Sequence, residues 1–69
     1  MKEDILNIVG RNIQEAREAK SWARFELAEM IGISEELLEQ YELGKKDMMI
    51  DRMELIANIL GVPPHTLLI

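Results

Sequence analysis

The apolar residues of this chain recur at intervals of three and four along the sequence and almost never at intervals of two. Ile5, Ile8, Val9, Ile13 and Ala16 form the longest such series. They predict one amphipathic helix ending near Lys20. Gly10 lies inside it and weakens it by about 1 kcal/mol relative to alanine. A second, short helix is predicted from about Arg24 to Ile31, with Leu27, Ala28 and Ile31 facing inward and Gly32 stopping it. Ser34 is a good N-cap for a third helix, and Glu35 and Glu36 suit its first turn. That helix turns Leu38 and Tyr41 inward and ends near Gly44, which can take the left-handed conformation. The polar loop Lys45-Lys46-Asp47 leads to a fourth helix from about Ile50 to Leu60, with Met53, Ile56, Ala57 and Leu60 inside. Gly61 ends it, and Pro63-Pro64 fit one last helical turn. The reading is an all-α chain of five short helices, residues 1–69 forming a single domain.

A chain of 69 residues has little core to spare. With no cysteine it can use neither a disulfide staple nor a thiolate metal site. No apolar run approaches the roughly 20 residues that span a bilayer. Met1-Lys2-Glu3-Asp4 lacks the positive charge of a secretion signal, so a cytoplasmic location is expected. The net charge is −5, and it is not spread evenly. Residues 1–20 and residues 43–69 each balance to zero, and the whole deficit lies in residues 21–42, where Arg24 faces six glutamates.

Two short helices joined by the tight turn Gly32-Ile33-Ser34 form a helix-turn-helix pattern, in which the second helix can enter a DNA major groove. Around that turn stands a longer ordered set: Arg17, Leu27-Ala28, Ile31-Gly32-Ile33-Ser34, Leu38, Tyr41-Glu42, Gly44-Lys45-Lys46, Ile56-Ala57 and Leu60-Gly61-Val62. In this set the chain resembles the phage-repressor and Cro-type helix-turn-helix domains, the XRE family, without a gap from about Val9 to Leu68. The helix-turn-helix itself spans about residues 24–43. The resemblance implies a lambda-repressor-like fold and a DNA-binding transcriptional regulator. It implies that Arg17 and Glu42 form a structural salt bridge between helix one and the end of helix three. It places Arg24, Lys45 and Lys46 against phosphates, with Arg11 as a further candidate, and Glu35, Glu36, Glu39 and Gln40 at the positions that face bases. Trp22 matches a core leucine before helix two, and Tyr41 a core aliphatic with its hydroxyl reaching the surface.

The chain departs from the family in two places. On a wheel at about 100° per residue, Glu35, Glu36, Glu39 and Gln40 share one side of helix three, opposite Leu38 and Tyr41. The reading face thus carries three carboxylates and no cation. Glutamate can accept a hydrogen bond from the cytosine amino group but meets a field of phosphates around it. In their plainer role, glutamates early in a helix each interact favourably with its dipole, by about 0.3–1 kcal/mol. The second departure is apolar: Phe25 and Met30 stand where the family keeps polar residues, and Leu43, Met48 and Met49 where it often has Asn or Pro. Met48 or Met49 is expected to fill a core gap, whereas an exposed Phe25 favours an interface.

Two functions therefore compete. One is a sequence-specific repressor-like regulator, binding duplex DNA as a dimer with helix three in the major groove. Leu67, Leu68 and Ile69 then pack partly on helix one and partly against a second copy. The other is a helix-turn-helix scaffold whose acidic face and apolar Phe25, Met30, Met48 and Met49 bind protein, as an antirepressor, a partner-binding regulator or a DNA-mimicking decoy. A third reading takes the chain as the N-terminal module of a longer regulator. Enzyme function is not expected: Ser21 and Ser34 have no positioned base, and no glycine-rich phosphate loop is present. His65 has no cluster around it to make a metal or catalytic site, and no cofactor is expected.

Overall fold

The computed structural model describes residues 4–69, and the reading of the first three residues as lacking a signal lies outside them. Helix α1 runs over Ile5–Ala19, α2 over Arg24–Ile31, α3 over Glu35–Glu42 and α4 over Ile50–Leu60. The fifth element is a 3-10 helix at Pro64–Leu68 rather than an α-helix. Prolines at its start remove N–H donors, and five residues leave room only for the tighter i→i+3 winding.

Each boundary has a local cause. Asp4 caps α1, its Oδ1 accepting from the Asn7 N–H at 3.1 Å. At the other end Ser21 takes a positive φ of 61°, the one non-glycine among the described residues to do so. Its N–H donates to the Glu18 carbonyl at 2.9 Å, and the Trp22 N–H donates to the Arg17 carbonyl at 3.3 Å. This is the paired closure usually built on glycine. Ala23 opens α2 without an acceptor of its own, yet its N–H donates to Glu26 Oε1 at 2.7 Å, half of a capping box. Gly32 closes α2 at φ 90°, where a side chain would be strained. Ser34 Oγ then accepts from the Leu37 N–H at 3.0 Å, so α3 starts at Glu35, directly after the turn.

Val9, Ile13, Leu27, Ala28, Leu38, Met53, Ile56, Ala57, Leu60 and Leu67 make one buried cluster drawn from all five elements. The inward stripe of α1 starts at Val9, not at Ile5, which stays half exposed. Trp22 leans on this cluster instead of being sealed inside it, with the Lys20 ammonium 5.4 Å from its ring centroid. Met48 packs against the core, whereas Met49 is 76% exposed, so only the first of the pair fills a gap. Asn12 on α1 donates from Nδ2 to the Leu67 carbonyl at 2.9 Å, tying the C-terminal turn to α1. No helix among the described residues is long and apolar enough to cross a membrane.

Gly10 holds the fold together in a way its helix propensity conceals. A Cβ there would lie 2.6 Å from the Glu42 carbonyl oxygen and 2.8 Å from its carbon, and would also overlap the Tyr41 carbonyl oxygen. The end of α3 rests directly on the backbone of α1 at this point. That contact fixes where α3 stands relative to the rest of the domain.

Candidate nucleic-acid interface

At the junction set by Gly10, Glu42 is buried with its side chain wholly out of solvent. Arg17 meets it as a fork: Nε donates to Oε2 at 2.7 Å and Nη2 to Oε1 at 3.1 Å. Arg17 Nη1 donates in addition to the Trp22 carbonyl at 2.8 Å, holding the α1–α2 turn. A second guanidinium joins from α2, Arg24 Nε donating to Glu42 Oε1 at 3.0 Å. The Glu42 hydrogen bond is the main cause that raises the Arg17 pKa above its ordinary value, partly opposed by burial. Among the described residues no buried side-chain nitrogen or oxygen lacks a partner. A buried ion pair of this kind contributes little net stability, but removing one partner costs about 3–5 kcal/mol.

From this anchor α3 presents its other side. Glu35, Glu36, Glu39 and Gln40 are all exposed, while Leu38 and Tyr41 are buried behind them. Ser34 capping and the helix dipole favour carboxylates at the start of α3. The cations gather at the opposite end. Arg24 is held at Glu42, the last residue of α3, and exposed Lys45 and Lys46 follow two residues beyond the cap Leu43. Arg11 is exposed on α1 immediately after Gly10, the residue that touches Glu42. Along α3 the exposed carboxylates run from Glu35 and Glu36 in the first turn to Glu39 in mid-helix, whereas Arg24, Lys45 and Lys46 stand at its C-terminal end, about 10 Å from Glu35 at 1.5 Å per residue.

Two contacts of the site had no signal in the sequence. Arg24 reaches Glu42 across two helices, a contact that depends on how α2 and α3 cross. Arg52, on α4, donates from Nη1 to the Tyr41 hydroxyl at 3.0 Å, so the phenol of this buried tyrosine is held by a cation. Leu43, singled out in the sequence as an apolar departure, is 47% exposed beside the loop lysines. Phe25 and Met30 are also open, at 57% and 45% exposure, on α2. His65 is exposed on the 3-10 helix, and no group of three or more metal-ligating side chains is present among the described residues.

A family model described as a helix-turn-helix domain matches residues 10–69. No curated protein sequence matches the chain significantly. Among solved structures, the hypothetical transcription factor NHTF from Neisseria is similar over 96% of this chain and 76% of its own, at 26% identity and a TM-score of 0.90. SinR, a master regulator for biofilm formation solved in complex with DNA, is 31% identical, with a TM-score of 0.81 over 88% of this chain and 98% of its own. The restriction-modification controller protein C.AhdI from Aeromonas hydrophila shares the fold at 24% identity and a TM-score of 0.84, over 90% of this chain and 94% of its own. With its turn at Gly32, its short α2 and α3, and a family match over nearly its whole length, the chain belongs to the helix-turn-helix domain family, of the phage-repressor and Cro (XRE) type.

Proposed function

We propose that this protein is a sequence-specific, repressor-like DNA-binding regulator that acts in the cytoplasm and lays α3 in the major groove. The observation that carries the reading is the exposed side of α3 with Arg24, Lys45 and Lys46 collected at its C-terminal end. Those cations, with Arg11, hold phosphates on either side of the groove. Glu35, Glu36, Glu39 and Gln40 then meet base edges, the glutamates accepting from cytosine amino groups. The relation to SinR, whose structure is a complex with DNA, supports the same use of the fold. Leu68 and Ile69, 38% and 84% exposed, are the surface through which two copies pair. Pairing sets two α3 helices about 34 Å apart on a pseudo-palindrome. Glu36→Ala and Gln40→Ala are expected to change the site selected from a random duplex pool. An unchanged site for both variants contradicts the major-groove assignment.

A protein-binding reading is favoured by one observation: Phe25, Met30 and Met49 are exposed in a domain whose α3 carries an acidic exposed side. Met48 does not contribute, being packed against the core. Glu35→Gln, Glu36→Gln and Glu39→Gln combined separate the two readings. A DNA regulator gains affinity for any duplex, because carboxylates facing phosphates are removed, while a decoy for a basic protein loses its partner and gains no duplex affinity.

A further inference from the structure

The Glu42 carboxylate has one charge and two guanidinium partners. Arg17 already neutralises it through the fork, so Arg24 is anchored to the same carboxylate without being cancelled by it. Only Nε of Arg24 is engaged there, and its side chain stays 28% exposed at the first residue of α2. Four N–H donors on the two Nη groups remain. An unanchored surface arginine loses rotamer freedom when it is fixed on a phosphate. Arg24 has lost much of that freedom before DNA arrives. We propose that Glu42 is a positioning residue for DNA binding: by holding Nε of Arg24, it presents the remaining edge of that guanidinium to a backbone phosphate at the start of α2. Arg17, which also lies 3.9 Å from Glu18, holds the carboxylate from the other side, and the guanidinium of Arg24 is what the phosphate meets.

This assignment rests on the DNA-binding reading and has its own sign. On simple electrostatics, neutralising a carboxylate in an acidic protein raises affinity for DNA; at Glu42 the positioning role lowers it. The test is a salt titration of binding to a short random-sequence duplex, run on samples shown by circular dichroism to be folded. Glu29→Gln, on the exposed side of α2, is the electrostatic control and is expected to bind at least as tightly as the parent protein. Glu42→Gln is expected to bind about 3- to 10-fold more weakly with the same salt slope, because Arg24 keeps its charge and loses its hold. Arg24→Gln lowers the magnitude of the slope by about one. Arg24→Lys keeps the slope and loses about 10-fold in affinity, since a point charge on a flexible stem cannot bridge the carboxylate and the phosphate. If Glu42→Gln does not fold, the two Arg24 variants decide alone. A Glu42→Gln variant that binds more tightly, or an Arg24→Lys variant equal to the parent, overturns the positioning role and leaves DNA binding standing. A folded parent protein without salt-dependent duplex binding overturns both.

Discussion

Gly10 shows how one residue carries opposite meanings at two levels. Along the sequence it is a soft spot in a helix, and alanine there should stabilise by about 1 kcal/mol. In the folded chain the missing Cβ lets the carbonyl of Glu42 sit where a methyl group would be, with backbone rather than a yielding side chain as the neighbour. Backbone cannot move aside without displacing α3, so overpacking dominates. Gly10→Ala is expected to destabilise by about 1–3 kcal/mol net, read as a lower urea midpoint at unchanged slope. A raised midpoint would show that α3 can shift off α1 freely. Glu42 is also more than half of a salt bridge: two arginines from different helices converge on it. The pairing of Arg17 with Glu42 follows from family resemblance, but Arg24 as a second partner does not, since nothing in residue spacing reports how α2 crosses α3.

At the scale of elements the helices were well written into the sequence. The limits of α2 and α4, the caps Ser34 and Gly32, and the inward set Leu27, Leu38, Met53, Ile56 and Leu60 follow from periodicity and capping chemistry alone. What periodicity could not give was the winding of the final turn, where prolines and brevity select a 3-10 helix, and the exposure of Ile5, whose spacing matches buried neighbours but which no element covers. Nor did it reveal the incomplete cap ahead of α2. Ala23 stands at an N-cap position with Glu26 already bonded back to its N–H, and with no side-chain oxygen to complete the exchange. Ala23→Ser supplies that oxygen and is expected to stabilise the fold by about 0.5–1 kcal/mol. Thermal unfolding checks it: the melting temperature rises if the box closes, and a fall means that the serine is drawn into another contact.

For the whole molecule, the distribution of charge matters more than its total. A protein of net charge −5 makes a poor non-specific ligand for DNA. Arg24, Lys45 and Lys46 nonetheless stand at the end of α3, and under the proposed function Glu35, Glu36 and Glu39 on its exposed side discriminate among bases. Weak general attraction and a reading face hostile to the wrong sequence together favour selectivity over raw affinity, since an unpaired carboxylate near phosphates penalises every duplex lacking a cytosine donor in reach. The acidic face was fully legible as a helical wheel, and the side chains on it are exposed. The clustering of cations was legible only in part, because Lys45 and Lys46 are adjacent in sequence while Arg24 comes to the same end of α3 through the fold.

Selection from a random duplex pool at low salt, followed by salt titration of the enriched site, tests sequence-specific DNA binding by this acidic domain most directly. The expected winner is a two-fold symmetric site bearing cytosines in each half. Its log–log salt slope should approach about −7 if two protomers each use four cations. A folded, helical protein that enriches no sequence, or that binds every duplex alike, contradicts the account.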